Sequence, residues 1–200
     1  MIFRRKINGI RKHNRRSYNC SSSKNGYEFI DENDNWISYR KLDEFINSDI
    51  LLTCLRKINP GLNDEVLKEA IKVTTRLENP SLFERNFAFH KYLVDGITIE
   101  SKDYQINPLV RLVDFNKIGN NVFQVCHQVK FNEGKNTRIP DVIIYVNGIP
   151  LVVMELKSFD ENATDATLEK AYEQLGQNTE CSGYRYDIPT LFNFNCFFGY

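Results

Sequence analysis

The strongest constraint on the fold is a pair of apolar segments that flank Asn147-Gly148. Residues Ile139 to Val146 and Ile149 to Leu156 are rich in Ile, Val and Leu, and both residues between them tolerate the positive φ angles of a tight turn. The pattern predicts a β-hairpin. Because both strands are so apolar, a cluster of charged residues at one end of the hairpin indicates a specific structural or functional role.

Such a cluster stands where the hairpin begins and ends. Asp141 follows Pro140 at the start of the first strand, and Glu155 and Lys157 close the second. Two carboxylates can hold a hard divalent cation that lowers the pKa of a bound water, and an ammonium can stabilise the resulting hydroxide, which is what phosphodiester hydrolysis requires. The residues alone leave open a structural salt bridge at a strand end and an ordinary solvated surface.

The turn length decides whether Asp141 shares a face with Glu155. With a two-residue turn, Asp141 opposes Met154 and its side chain points to the wrong face. A three-residue loop pairs Asp141 with Val153 or Glu155 and unites the charged groups, and Gly148 in the left-handed region beside a bulge would produce it. The metal-site hypothesis therefore predicts a three-residue loop.

Two helices in series precede the strands. Asn63 can cap the first, which Pro80 stops, and Ser81 with Glu84 forms a capping box for the second, which Gly96 ends. The inward positions of the second helix are predicted to be Phe83, Phe87, Phe89 and Leu93.

The remaining elements follow from hydrophobic periodicity. The predictions are short helices within Tyr39–Lys57, strands over Leu109–Asp114 and Phe123–Phe131, a helix from Thr164 or Asp165 through Leu175, and a last strand over Thr190–Phe198. This order of helices, strands, hairpin, helix and strand predicts an α/β fold.

Composition excludes several classes of protein. The chain has 26 basic and 26 acidic residues, but seven of the basic ones lie in positions 1–16, which contain no acid. The rest is acidic, so phosphate contacts there must be local rather than a general coating by charge. Five cysteines without a CxxC pair fit a reducing cytoplasm and neither a disulfide framework nor a zinc knuckle, and no apolar run is long enough to span a membrane.

Several blocks of the sequence match a known family. They are Asn59-Pro60-Gly61-Leu62, Glu84-Arg85-Asn86 with His90-Lys91-Tyr92-Leu93, Asn121 to Phe123 with Gln128 to Phe131, and Arg138 to Val142 with Val146 to Lys157. From about Tyr27 to Tyr200 the chain closely resembles the N-terminal nuclease region of the restriction (motor-nuclease) subunit of type I restriction-modification enzymes. The resemblance implies a PD-(D/E)xK restriction-endonuclease-like fold, a mixed sheet flanked by helices, with a helical part over about 39–95 and the sheet and catalytic core over about 105–200.

The same resemblance implies a type I site-specific deoxyribonuclease with Mg²⁺ as cofactor. Asp141, Glu155 and Lys157 fall on the family's motif, with Asp141, Glu155 and the Leu156 carbonyl binding metal. Lys157 would assist the attacking water, and Gln174, on the helix that follows, would support the cluster. DNA is the implied substrate, ATP is used only by a motor further along the subunit, and modification and specificity subunits are the implied partners.

Three features depart from the family pattern. Gly134-Lys135-Asn136-Thr137 is not a P-loop, so ATPase activity is expected outside this chain, with Tyr200 as a cut end within a longer protein. Asn178 stands where the family's tyrosine follows Gln174 by four residues. Nucleases of this fold also draw a carboxylate from an upstream helix, and residues 1–26 contain no acid. The candidate substitutes are Glu28, Glu69 and Glu84.

Two alternative functions stay open. One is a truncated or inactive docking module that binds DNA or partners without cutting, and the other is a stand-alone, structure-specific nuclease of the same fold. Residues 1–26 are predicted to be a basic, poorly ordered arm, and residues 27–200 the nuclease-like domain. Lys157 and Lys170 are the best candidates for local phosphate contacts.

Overall fold

The computed structural model describes Gly26 and residues 28–30, 41–156, 173–176 and 183–199. These residues form a five-stranded sheet, two small two-stranded sheets, three long α-helices and one short α-helix, and residues 173–175 add a single helical turn. The predicted mixed α/β class is confirmed. Apart from Gly26, the predicted basic arm lies outside the described residues, as does most of the helix predicted to end at Leu175.

The long helices begin where the capping residues indicate. The Asn63 side chain accepts a hydrogen bond from the Val66 amide at 3.0 Å, and Ser81 and Glu84 complete both halves of the capping box. Residues 41–47 are not helical, so the short helices predicted from position 39 reduce to one. The helices are α1 (Ser48–Ile58), α2 (Asp64–Thr75), α3 (Leu82–Asp95) and α4 (Tyr184–Asp187). Of the helices described, none has both the length and the apolar character needed to cross a membrane.

The buried face of α3 is narrower than predicted. Phe89 and Leu93 are buried, but Phe83 and Phe87 are 74% and 62% exposed and stack on each other, with ring centroids 6.5 Å apart. At about 100° per residue, Phe83 and Phe87 lie roughly 120° around the helix from Phe89 and Leu93, so the two pairs face different directions. The inward placement of Phe83 and Phe87 was therefore wrong.

Polar side chains of α3 hold the segment that precedes the last strand. The Asn86 amide donates to the carbonyls of Phe192, Asn193 and Asn195 at 3.1, 3.2 and 3.0 Å. The Asn86 side chain thus provides the hydrogen bonds that these carbonyls would otherwise receive from a neighbouring strand. The strand predicted over Thr190–Phe198 is accordingly divided into a 3₁₀ helix over Pro189–Asn193 and a short strand over Phe197–Gly199.

The central hairpin lies inside the main sheet. In spatial order its strands are β1 (Glu28–Ile30), β4 (Phe123–His127), β7 (Val142–Val146), β8 (Ile149–Met154) and β9 (Phe197–Gly199). β1 and β9 pair in parallel with their neighbours, and the inner strands pair antiparallel. β7 and β8 are central strands, and all of their residues are buried or half-buried. This burial explains why the two segments that predicted the hairpin are so apolar.

The strand predicted over Leu109–Asp114 is much shorter. Only β3 (Leu109–Val110) forms a ladder, with β2 (Ile97–Thr98). The backbone of Arg111 bonds instead to the side chain of Asn59, which accepts from the Arg111 amide at 2.8 Å and donates to its carbonyl at 3.0 Å. An apolar run can thus be buried while side chains, rather than a strand, satisfy its backbone.

The strand predicted over Phe123–Phe131 is interrupted. It ends at His127 because Gln128 adopts a φ of 49°. Phe131 belongs to a separate hairpin, which was not predicted, formed by β5 (Phe131–Glu133) and β6 (Asn136–Arg138). This second hairpin leads directly to Pro140 and the central strands.

The turn of the central hairpin keeps two residues. Asn147 and Gly148 have φ angles of 54° and 79°, and Val146 opposes Ile149. The Gly148 carbonyl accepts from the Asn47 amide at 2.8 Å, so the turn packs against the beginning of α1. The predicted three-residue loop is therefore wrong.

A β-bulge supplies the extra residue instead. Tyr145 opposes Pro150, whereas Val142 opposes Met154, so that Leu151 has no opposite residue on β7. Pro150 has no amide hydrogen to give to the ladder, which suits a position beside a bulge. The register beyond Leu151 is the one that the metal-site hypothesis requires.

Candidate active site

The shifted register brings Asp141 and Glu155 to one side of the sheet. Since Val142 opposes Met154, the next pair outward joins Asp141 and Glu155, and opposed residues point to the same face. The Leu156 amide donates to Asp141 Oδ2 at 2.9 Å and ties the two strand ends together. The structure thus brings together Asp141 and Glu155, two of the residues predicted to bind metal, and Leu156 follows Glu155 directly.

Glu155 is 4% exposed, and its carboxylate accepts hydrogen bonds from the side chains of Gln174 and Tyr184. Gln174 Nε2 donates to Oε1 at 2.6 Å, and the Tyr184 hydroxyl donates to Oε2 at 3.2 Å. Gln174 Nε2 also lies 2.6 Å from the Tyr184 hydroxyl oxygen. These bonds offset the cost of burying the carboxylate and fix its orientation. The predicted contact of Gln174 with the cluster is present.

Tyr184 is the site residue that sequence reasoning missed. The family spacing points to Asn178, which lies outside the described residues, whereas the tyrosine that contacts Gln174 comes ten residues after it. Residues 173–175 are helical and Tyr184 begins α4, so the two side chains come from separate elements. No spacing rule could have found this contact, and its only sequence signal is the glycine before the tyrosine.

That glycine lets α4 approach the helical turn of Gln174. Gly183 has a φ of 95°, and a Cβ there would lie 2.6, 2.7 and 2.7 Å from Glu173 O, Gln174 O and Gly176 N. These distances are too short for any residue with a Cβ, and the φ angle is one that glycine adopts freely. The close approach of the two backbones carries the Tyr184 side chain to Gln174.

A cleft of about 400 Å³ opens beside the cluster. Arg138, at the end of β6, donates through Nε to Asp187 Oδ2 at 2.8 Å, and a terminal nitrogen of the guanidinium contacts the same oxygen. Asp187 is the last residue of α4, so the ion pair joins β6 to α4. The lining residues are Thr137, Arg138, Ile139, Gln174, Gly183 and Tyr184.

Burial raises the pKa of Tyr184 above its ordinary value of 10.0, and the negative charges of Glu155 and Asp141 act in the same direction. The folded protein therefore keeps this phenol protonated at a pH where the unfolded chain releases the proton. Tyr184 contributes stability below pH 10, and that contribution is lost as the pH rises from 10 towards the folded-state pKa.

We expect Tyr184→Phe to flatten the alkaline loss of stability. In the parent, this one group steepens the fall in the free energy of unfolding above about pH 10 by up to about 1.4 kcal/mol per pH unit. Urea unfolding of both proteins between about pH 9 and pH 11 measures the difference. Tyr186→Phe, at a 42% exposed position of the same helix, is the matched control and should keep the parental slope. Equal slopes for the parent and Tyr184→Phe would contradict the assignment.

The three candidate upstream carboxylates lie elsewhere. Glu84 completes the capping box of α3, and Glu69 forms an exposed ion pair within α2. Glu28 lies on β1 opposite Gln124, near the end of β4 that is remote from Asp141. At a rise of about 3.3 Å per residue, this is about 13 Å along the sheet.

The oxygen donors at the strand ends are of the type that suits a hard divalent cation. They are the carboxylates of Asp141 and Glu155 and the peptide carbonyl of Leu156. Within the described ranges, no three His, Cys, Asp or Glu side chains are grouped so that they could hold a metal ion by themselves. Lys157 and Lys170 lie outside the described residues.

Comparison with known proteins identifies the family. Residues 21–200 match the family model described as "Type I restriction enzyme R protein N terminus". Similar proteins include the type I restriction enzyme HindI endonuclease subunit of Haemophilus influenzae, 36% identical over 148 residues, and the putative type I restriction enzyme MjaIXP endonuclease subunit of Methanocaldococcus jannaschii, 31% identical over 148 residues. Each alignment covers 72% of this chain but only 13% and 14% of the relative.

A third relative extends the match. The putative type I restriction enzyme MjaVIIIP endonuclease subunit of Methanocaldococcus jannaschii is 28% identical over 179 residues, which cover 82% of this chain and 16% of that protein. The chain thus spans a small part of the length of the relatives it matches. With the family model covering almost all of its residues, the chain belongs to the family of N-terminal regions of type I restriction enzyme R proteins.

Proposed function

We propose that this chain is a DNA endonuclease domain of the PD-(D/E)xK fold that hydrolyses phosphodiesters with Mg²⁺. The observation that carries the proposal is the bulge at Leu151, which sets Asp141 opposite Glu155 despite a two-residue turn. Bulges commonly lie next to active sites, where they redirect a side chain. An exposed salt bridge at a strand end would not require this departure from the regular ladder.

Each residue of the site has a role in this proposal. Asp141, Glu155 and the Leu156 carbonyl would hold Mg²⁺, which when bound supplies Lewis acidity towards water and the phosphate. Gln174 and Tyr184 hold the Glu155 carboxylate in place through the bonds at its two oxygens. Lys157 would direct its ammonium to the attacking hydroxide.

The domain is proposed to act within a larger complex. Its relatives are about six to eight times longer than the matched segment, at 13% to 16% coverage, and are named endonuclease subunits. We propose that an ATP-driven motor in the same subunit, together with modification and specificity subunits, delivers foreign unmodified DNA to this site. The 200 residues contain no GxxxxGK[ST] motif of their own.

Calorimetric titration with Mg²⁺ and Mn²⁺ tests the site directly. The parent should bind the cation, and Asp141→Asn, which keeps the oxygen that accepts from the Leu156 amide, should not. Asp95→Asn, at an exposed position on α3, is the control and should bind like the parent. Equal cation binding by the parent and Asp141→Asn would remove Asp141 from the site.

Nicking of supercoiled plasmid then separates the alternatives. A competent domain nicks the plasmid when Mg²⁺ or Mn²⁺ is added. A docking module leaves the plasmid intact in the presence of the motor and its partner subunits, and that outcome would overturn the proposed activity. Preference for branched over linear DNA without ATP would instead indicate a stand-alone, structure-specific nuclease.

A further inference from the structure

We propose that Arg138 binds a backbone phosphate of DNA in the cleft beside Asp141 and Glu155, and that it exchanges its ion pair with Asp187 for this contact. The inference rests on the proposed function and goes beyond it, because it names the residue that seats the DNA strand next to the carboxylates. It also gives Asp187 a role as the group that holds Arg138 before DNA arrives.

The position of Arg138 is the first argument. It lies three residues before Asp141, at the end of β6, and it lines the same cleft as Gln174 and Tyr184, which contact Glu155. A phosphate bound by Arg138 would therefore lie near the two carboxylates. Among the described residues that line this cleft, Arg138 alone carries a positive charge.

The second argument is the geometry of its ion pair. Nε and a terminal nitrogen of Arg138 both contact a single oxygen, Oδ2 of Asp187, and the other terminal nitrogen lies 3.4 Å from the Thr137 carbonyl. The Arg138 side chain remains 42% exposed. Arginine has five N–H donors in a planar fork that matches a phosphate, so donors remain for a ligand.

Another arginine on the molecule shows the contrasting arrangement. Arg56 reaches both oxygens of Asp64, with Nε at 2.9 Å from Oδ1 and a terminal nitrogen at 2.6 Å from Oδ2. This pair joins α1 to the beginning of α2 and is not part of the cleft lining. Arg56 therefore offers a matched control, an exposed arginine–aspartate pair without a neighbouring active site.

The charge of the chain is the third argument. Outside the basic segment at positions 1–16, acidic residues outnumber basic ones, and residues that line the cleft contact two carboxylates, Arg138 contacting Asp187 and Gln174 contacting Glu155. A polyanion that approaches these carboxylates needs a local cation. Replacing Asp187 by a phosphate oxygen as the partner of Arg138 removes one repulsive contact and retains the charge-assisted hydrogen bonds.

The test measures binding of the 200-residue chain to a fluorescent DNA duplex by anisotropy, in EDTA so that no strand is cut, over a series of salt concentrations. Arg138→Gln should weaken binding by about threefold to tenfold and lower the slope of log K against log salt by about 0.9, the value for one phosphate contact. Asp187→Asn should strengthen binding, because it frees Arg138 from its competitor. Arg56→Gln should bind like the parent.

Three results would overturn the inference. They are an unchanged salt slope in a folded Arg138→Gln protein, a loss of affinity in Asp187→Asn equal to that in Arg138→Gln, and absence of DNA binding by the parent at the lowest salt. Arg138→Lys, which keeps the charge but loses the planar fork, should fall between the parent and Arg138→Gln, and it provides the comparison if the glutamine variant does not fold. Cation binding at Asp141 and Glu155 is measured separately, so a failure of the proposed nuclease site remains distinguishable from a failure here.

Discussion

Lys157→Ala should yield a folded protein that still binds Mg²⁺ and DNA but cuts DNA slower by several powers of ten. If the ammonium stabilises the attacking hydroxide, its removal raises the energy of the transition state and leaves ground-state binding intact. Single-turnover cleavage, measured in the context in which the parent cuts, with the motor region restored where needed, gives the rate. Calorimetry on the same variant gives cation binding.

Lys135→Ala is the control for loss of a positive charge. Lys135 lies exposed in the turn between β5 and β6 and has no role in the proposed chemistry, so its replacement should leave the cleavage rate unchanged. If Lys157 instead only neutralises Glu155 at the strand end, its loss should lower stability, by up to several kcal/mol for a buried pair. A folded Lys157→Ala protein that cuts at the parental rate would refute the mechanism.

The second large effect is expected at Gly183. Gly183→Ala should lower the free energy of unfolding by at least about 3 kcal/mol, since the new Cβ would overlap three backbone atoms of the helical turn at 173–176. Gly61→Ala is the matched control, because Gly61 has a φ of 94° against 95° at Gly183 but open space around it. There we expect a loss of about 1 kcal/mol from backbone strain alone. Urea unfolding of both variants isolates the steric contribution.

The same substitution should act on the site. If Gly183→Ala still folds in the absence of urea, it should lose the contact between Gln174 and Tyr184, because α4 can no longer approach the helical turn at 173–176. Its stability should then depend on alkaline pH as that of Tyr184→Phe does. If Gly183→Ala costs no more than Gly61→Ala, the close approach of the two backbones is not required.

Local signals in the sequence predicted the helices well. Asn63 accepts a hydrogen bond from an amide three residues further along the chain, and Ser81 and Glu84 bond to each other's amides over the same separation. Because these partners are so near in sequence, the sequence alone determines where α2 and α3 begin. The central hairpin followed in the same way from Asn147-Gly148. Each of these features depends on residues that are neighbours along the chain.

Features that depend on distant partners were predicted poorly. Leu109–Asp114 is as apolar as a strand, but the backbone of Arg111 is satisfied by the side chain of Asn59, fifty-two residues away. The outward side of α3 carries Phe83 and Phe87, and composition alone cannot tell an exposed aromatic residue from a core one. Such errors arise wherever the deciding contact lies on another element.

The candidate site combines both situations. The hypothesis that Asp141 and Glu155 share a metal site requires one residue beyond a regular two-residue hairpin. The structure has that extra residue at Leu151, within the strand, and turn chemistry could not show its place. Gln174 was identified from its place on the helix after the hairpin. Tyr184 was not, because its contact depends on how two backbones pack at Gly183.

The approach of Gly183 to Gly176 has a consequence for the segment that joins them. Since the two glycines are in backbone proximity, residues 177–182 connect two points that are already fixed in space. For a flexible connection between fixed ends, the entropy of closure grows slowly with length, at about 0.6 kcal/mol for each doubling, so we expect an insertion between these ends to cost little and to leave Tyr184 in place. We therefore expect that a tyrosine at a different interval from the glutamine can make the same contact. In relatives, the equivalent tyrosine should be identified by its contact with the glutamine in the structure rather than by a fixed spacing in the sequence. An affinity tag inserted between Gly176 and Gly183 should leave the contact between Gln174 and Tyr184 intact.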